Sequence, residues 1–347
     1  MVVTVPVRDE AANLPRLLAT TLLWADHVVI ADQGSSDGSA ELARSFPGVT
    51  VVDNPSRSYG EDARQQILLD AARKLTPAPR LLVALDADEI MSANVLESEE
   101  WDEVLRALPG TSIRLARVEL AADTTRYLRH WWDDAGVRGG FAYMDDGAAH
   151  TGRRLHSNRL PEPPAPRLSL EDVVVLHYSQ ASPRRVASRE RWYQCFERVH
   201  FPDQYGDVAI RRRYDWLKRA GPDVRMRSCP AAWTGAYARA GIDLVQPAED
   251  RYFWTDWDVL RMFDCHSTST FRFLDIWNFD WEAARGEAVA RGIAGVPPRP
   301  IVPPGDVVSR SVRRFLDLSA RTRWRVYTDA AVSKGLAVVT RSRNGHR

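Results

Sequence analysis

Residues 1 to 85 alternate between apolar β-type runs and amphipathic helix-type segments, and this alternation restricts the fold more than any other feature of the chain. Val2-Val3-Thr4-Val5-Pro6-Val7 reads as a strand. Leu14, Leu17, Leu18 and Leu22 then recur at the spacing of one helix face, with Asp9 placed to cap that helix. His27 to Asp32 is a second strand, and the turn formers Asp32-Gln33-Gly34-Ser35-Ser36-Asp37-Gly38 lead into a helix over Ser39 to Ser45. Val49 to Val52, Glu61 to Lys74 and Leu81 to Leu85 continue the order as strand, helix and strand. Strands separated by helices form right-handed crossovers, so the expected fold class is α/β, a mostly parallel doubly wound sheet. Ligands bind at the carboxyl ends of such strands. Pro6 to Arg8, Asp32 to Gly38 and Asp86 to Glu89 all fall there.

The strand Leu81 to Leu85 ends in Asp86-Ala87-Asp88-Glu89. Side chains two apart in an extended segment leave the same face, so Asp86 and Asp88 can reach one cation or one hydroxyl-rich ligand together. Mg²⁺ and Mn²⁺ take oxygen ligands and are commonly held by one or two carboxylates plus substrate phosphates. A solvated acidic turn is the plainer alternative for these residues alone.

Three ordered motifs, Val-Pro-Val-Arg-Asp-Glu at 5–10, Val-Ile-Ala-Asp-Gln-Gly-Ser-Ser-Asp-Gly-Ser at 29–39 and Leu-Asp-Ala-Asp-Glu at 85–89, resemble the opening of glycosyltransferase family 2, of the GT-A fold. The resemblance covers residues 1 to about 95. It implies an inverting transfer of a sugar from a nucleoside-diphosphate donor, with uridine as the family-weighted base, to an acceptor hydroxyl, with Mn²⁺ or Mg²⁺. It places Pro6, Val7, Arg8, Glu10, Asp32, Arg64, Asp86 and Ala87 at the donor. Asp86 faces the ribose or metal, and Asp88 binds the metal that bridges the diphosphate. Glu89 supports them, and Asp37 caps the next helix. Val173 to Tyr178 is a strand ending in His177-Tyr178, which resembles the His-Tyr closing the catalytic domain of relatives. His177 is therefore expected as a further metal or diphosphate contact, against the plainer reading of a structural histidine.

Inversion by direct displacement needs one carboxylate to take the acceptor's proton. Glu162 has the spacing to His177 that relatives use for this base, although it sits in a proline-rich loop; Asp145 and Asp146 come next. Trp131 and Trp132, with Arg154 and His156, are expected on the acceptor side, since aromatic faces stack on sugar rings and basic groups meet phosphate or carboxylate. Core packing and a solvated strand edge explain the same residues without an acceptor. The acceptor itself, a glycan, a lipid-linked glycan or a small molecule, is left open.

A chain of 347 residues exceeds one usual core. The expected layout is a GT-A catalytic domain over 1–182, with donor and metal in 1–95 and the acceptor side in 96–182. A helical annex over 183–295, a Pro-rich linker over 296–305 and a basic helical tail over 306–347 come after it. The tail carries +7 and the rest −6, so peripheral contact of the tail with an anionic membrane surface is weighed against a solvated helix face. Cys195, Cys229 and Cys265 are odd in number and widely spaced, which points to reduced thiols. No stretch approaches the ~20 apolar residues of a membrane span, and the start lacks a signal-peptide pattern, so cytoplasmic residence is expected. No nucleic-acid motif occurs. Two rivals remain: a nucleotidyltransferase, although Arg8-Asp9-Glu10 replaces the Gly-rich basic loop such enzymes carry after the first strand, and a non-catalytic carbohydrate-binding relative.

Overall fold

The computed structural model describes residues 1–54, 56, 59–129, 138–164, 166–214, 225–248, 250–319, 329, 332 and 333. Trp131 and Trp132, and most of the basic tail, lie outside them. The chain divides into two compact units, one of residues 1–183 with 224–248 and one of 184–223 with 249–347.

The first unit is a mixed α/β structure. Its strands β1 (Val2–Val7), β2 (His27–Asp32), β3 (Val49–Asp53) and β4 (Arg80–Ala84) run parallel in the spatial order β3-β2-β1-β4. Helices α1 (Leu14–Thr21), α2 (Ser39–Arg44) and α3 (Glu61–Leu75) connect them. Strand alternation decides which face each helix covers. Val3, Val5, Val7 and Ile30 pack with Leu14, Leu17, Leu18 and Ala43 on one face. Val2, Val29, Leu82 and Ala84 pack with Leu68, Leu69 and Ala72 of α3 on the other. Asp9 does not cap α1. The helix starts at Leu14 behind Asn13, with a proline in its first turn, while Asp9 adopts φ 52° and turns its carboxylate to the next loop.

Beyond β4 the pairing changes. After β5 (Glu89–Met91) and the short helix α4 (Glu99–Leu105) come β6 (Ser112–Leu120), β7 (Arg126–Arg129), β8 (Arg138–Asp145) and β9 (Arg167–His177). β8 is antiparallel to both β4 and β6, and β7 is antiparallel to β6. β9 runs parallel to β6 and antiparallel to β5. The parallel arrangement thus holds for the first four strands and gives way to an antiparallel half. The segment after the chain first leaves this unit also returns to it. β10 (Arg225–Ser228) pairs with β7, and α7 (Gly235–Arg239) inserts Tyr237, fully buried, whose hydroxyl donates to the Met91 carbonyl. Residues expected in the helical annex therefore complete the sheet.

The second unit is helical among its described residues: α5 (Pro183–His200), α6 (Asp207–Arg213), α8 (Trp254–His266), α9 (Trp281–Ala290) and α10 (Val307–Ser319). Aromatic side chains pack together in its core. Phe263 stacks on Trp277 at 5.4 Å and meets the edge of Trp281 at 5.1 Å, while Trp192 packs against Trp254 and Phe196. No helix among the described residues is long and apolar enough to cross a membrane.

Candidate active site

The carboxyl ends of β1, β2 and β4 carry the three motifs to one edge of the sheet, and the loops there are tied to each other before any ligand is considered. The Asp9 amide donates to Ser35 Oγ at 2.8 Å, and the Ser36 amide donates to Asp9 Oδ1 at 2.6 Å. Asp37 accepts from Ala11 N and Ser39 N, and Ser39 Oγ accepts from Glu10 N. Asp37 therefore ties the loop after β1 to the start of α2, while Glu10 holds Asn13 at the foot of α1. Val7 pairs in register with Asp32, and Gln33 N donates to the Val7 carbonyl. Asp32 itself is buried. Its Oδ2 accepts from Ser35 N, and its Oδ1 has no hydrogen-bond partner. A buried acceptor left without a donor costs about 1–3 kcal/mol, so this oxygen is one that a bound ligand can satisfy.

The acidic pair is shaped by a group the sequence reading left unassigned. Glu89 is fully buried; it accepts the Asp86 amide at 2.9 Å and closes the turn through its own side chain. Arg159 then bridges both carboxylates, with Nη2 at 2.6 Å from Asp86 Oδ2 and Nη1 at 2.5 Å from Glu89 Oε2, its guanidinium 4.9 Å from the Phe141 ring centre. Burial disfavours its charge, yet Asp86 and Glu89 more than reverse that and hold Arg159 protonated. Asp86 is thus committed to Arg159, and Ala87 packs in the core between the two aspartates. Asp88 takes the other direction, toward His177.

Cross-strand register explains that meeting. His177 at the end of β9 lies opposite Glu89 on β5 and opposite Glu119 on β6. Its Nδ1 is 2.8 Å from Glu119 Oε2 and its Nε2 is 3.5 Å from Asp88 Oδ2. Burial pushes the imidazole pKa down, but Glu119 and Asp88 overcome it and raise the pKa to about 10. Arg117 joins Glu119 at 3.3 Å and Glu89 at 3.9 Å, so charges alternate from Asp86 through Arg159, Glu89, Arg117, Glu119 and His177 to Asp88. Arg16 of α1 is buried nearby, its guanidinium 3.5 Å from the Tyr178 ring centre.

Among the described residues no group of three or more His, Cys, Asp or Glu is arranged to hold a metal alone. The donor set nevertheless fits a divalent ion of the kind that substrate phosphates complete. Asp88 Oδ2 and His177 Nε2 share one location, where an ion would displace the proton that Nε2 carries without it, and a carboxylate on the far nitrogen fixes the imidazole, as for ligating histidines generally.

Glu162 lies at the same edge. Gly140 occupies the β8 position paired with Arg114, just beyond Ala142 opposite Val83 near the end of β4. A Cβ at Gly140 would stand 2.7 Å from Glu162 Oε1, which accepts from Arg114 at 3.4 Å. Asp145 and Asp146 are a different case, and the structure does not bring them to this edge. Asp145 pairs in register with Arg80 at the start of β4, where Arg73 and Arg80 clamp its fully buried carboxylate. Asp146 accepts from the Tyr143 hydroxyl. Both stand at the amino end of a strand whose carboxyl end carries Asp86, about 20 Å away at ~3.3 Å per residue. Arg154 and His156 lie on a segment docked to the first turn of α3, Arg154 donating to the Tyr59 carbonyl and Glu61 accepting from Ser157 N. Arg64, in that same turn, faces the Tyr59 ring at 5.4 Å.

The buried Asp32, the acidic turn after β4 and the Asp88–His177 pair thus share one carboxyl edge of a mixed α/β sheet. Residues 2–99 match the model of the family described as glycosyl transferase family 2, the segment that holds all three motifs and the family they resemble. No curated protein matches the chain in sequence. The solved structure of S. aureus TarS is similar over 93% of this chain and 90% of its own, at 12% identity and a TM-score of 0.34. Glucosyl-3-phosphoglycerate synthase from Mycobacterium tuberculosis, in complex with Mn²⁺, uridine diphosphate and phosphoglyceric acid, is similar over 34% of this chain and 42% of its own, at 18% identity and a TM-score of 0.26. A 4-diphosphocytidyl-2C-methyl-D-erythritol synthase is similar over 41% of this chain and 74% of its own, at 13% identity and a TM-score of 0.29. Likenesses of this size carry no residue role to this chain.

Proposed function

We propose that this protein is an inverting glycosyltransferase that moves a sugar from a nucleoside-diphosphate donor, with uridine as the family-weighted base, to an acceptor hydroxyl. The observation that carries the reading is the meeting of Asp88 and His177 at the carboxyl edge, with Glu119 orienting the imidazole. Asp32 offers its unpartnered Oδ1 to an N–H of the base or a hydroxyl of the ribose. Asp88 and His177 would hold Mn²⁺ or Mg²⁺. When bound, that ion neutralises the charge that grows on the diphosphate as the glycosidic bond breaks. Arg159 and Glu89 keep the Asp86 turn in one shape, so Asp88 needs no rearrangement to engage the donor. Glu162 accepts the proton of the acceptor hydroxyl while the acceptor oxygen forms its bond to the anomeric carbon and the diphosphate leaves with the old bond's electrons.

The test is release of nucleoside diphosphate from UDP-, GDP-, dTDP- and CMP-sugars, with CMP-sugars scored as monophosphate release, with and without Mn²⁺. Metal-dependent turnover that Asp88→Ala removes supports the reading. Release of pyrophosphate from a nucleoside triphosphate instead would make the protein a nucleotidyltransferase.

A further inference from the structure

The second unit contains a cavity of about 320 Å³ lined by Arg184, Ala187, Arg191, Arg251 and Phe279. Three elements build it. Arg184, Ala187 and Arg191 recur at i, i+3 and i+7 on one face of α5, with the small alanine leaving space between two guanidinium groups. Arg251 comes from the segment before α8, and Phe279 from the segment before α9.

The charges in this cavity are not balanced within it. Arg191 is nine-tenths buried and pairs with the fully buried Asp256 at 2.8 Å, while its plane stacks on Phe279 at 3.8 Å. That leaves its Nε, also buried, with no hydrogen-bond partner. Arg184 and Arg251 are exposed at the rim and make no ion pair among the described residues. Of the nearby described acids, Asp280 caps α9 through Ala283 N, and Asp250 is exposed beside Arg251. Among the described residues, Asp256 thus pairs with one of the three guanidinium groups that line a space of small-ligand size. An unpartnered buried N–H, two guanidinium groups that make no ion pair among the described residues, one of them 5.2 Å from the Tyr252 ring centre, and an apolar ring are the complement of a tetrahedral oxyanion attached to a compact ring or chain.

We propose that this cavity is a binding site for a small phosphate monoester, with the phosphate held between Arg184, Arg191 and Arg251 and the carbon skeleton against Phe279. It is built from the second unit alone.

Isothermal titration of the full chain with glucose 6-phosphate, glucose and glucuronate tests it. Glucose 6-phosphate should bind, glucose should not, and affinity should fall as salt screens the rim charges. Arg184→Gln with Arg251→Gln, both at the exposed rim, should weaken binding by about tenfold or more, the loss expected when charge-assisted contacts are removed. Asp88→Ala should leave this binding unchanged, and the double variant should leave Mn²⁺-dependent donor binding unchanged, so either site can fail without the other. The proposal is overturned if glucose 6-phosphate does not bind, if glucuronate binds as well or better, if the double variant binds normally, or if Asp88→Ala abolishes binding.

Discussion

His177 and Arg159 show how single side chains organise the carboxyl edge of the sheet. The imidazole sits between Glu119 and Asp88 with a pKa raised to about 10 against ~6.5 for a free histidine. A raised pKa means that the charged form stabilises the fold fully below about pH 6.5, and that this contribution is lost as the pH climbs through about 10. In metal-free buffer, Glu119→Gln should therefore destabilise the protein most at pH 6 to 7. Its difference from wild type in urea midpoint should shrink toward pH 10, and a pH-independent difference would contradict the linkage. Arg159 neutralises Glu89, which has no exposure to solvent. Removing one partner of a buried pair strands the other charge, so Arg159→Gln should cost roughly 3–5 kcal/mol by denaturant unfolding. The same variant frees Asp86 and loosens the turn, so donor affinity should fall with it. Exposed pairs such as Arg285 with Glu282 are expected to contribute little.

At the level of elements, one glycine on β8 sets the space that Glu162 occupies. A methyl group at Gly140 would meet Glu162 Oε1 at 2.7 Å, and that oxygen ends a flexible side chain that can swing away. Gly140→Ala should thus change stability by less than about 1 kcal/mol, the range of substitutions that leave the core intact, while lowering transfer and sparing donor binding. Glu162→Gln should separate the same two readouts more sharply, keeping donor binding and losing transfer; full transfer by that variant would move the proton acceptor elsewhere. The strands carrying the motifs were legible because burial on both faces writes continuous apolar runs, as in Val28 to Ala31 and Leu81 to Leu85. The supporting charges were not. Glu119 and Arg117 sit on β6 at alternate positions whose significance appears only once the register puts them beside His177 and Glu89. Arg159 lies in an irregular segment about seventy residues after the aspartates that it orders. Asp145, by contrast, read as a candidate proton acceptor second to Glu162, and only the pairing of β8 with β4 shows it clamped at the opposite end.

For the whole molecule, the division into units reflects packing more than sequence order. The chain first leaves the sheet near residue 183, and a helical annex from that point was the expectation from the sequence. The return of 225–248 was not, because β10 is only four residues long and α7 five, too short to leave a periodic signal. Tyr237 measures what that return is worth. It is fully buried against the core of the first unit and donates to Met91 O, so Tyr237→Ala should cost about 3–5 kcal/mol, as aromatic-to-alanine changes in cores do. A cost below about 1 kcal/mol, the size of an ordinary surface change, would mean that the returning segment is dispensable to the sheet.

The most direct test of the central claim is a thermal-shift titration of the wild-type chain and Asp88→Ala with nucleotide sugars, each with Mn²⁺ and with chelator, since a ligand of the folded state raises its melting temperature by mass action. A shift for one nucleotide family in the wild type that needs the metal, and is absent in Asp88→Ala at an unchanged ligand-free melting temperature, is the predicted result. A shift of equal size in Asp88→Ala, or one indifferent to the metal, would contradict the assignment of this edge as a metal-dependent donor site.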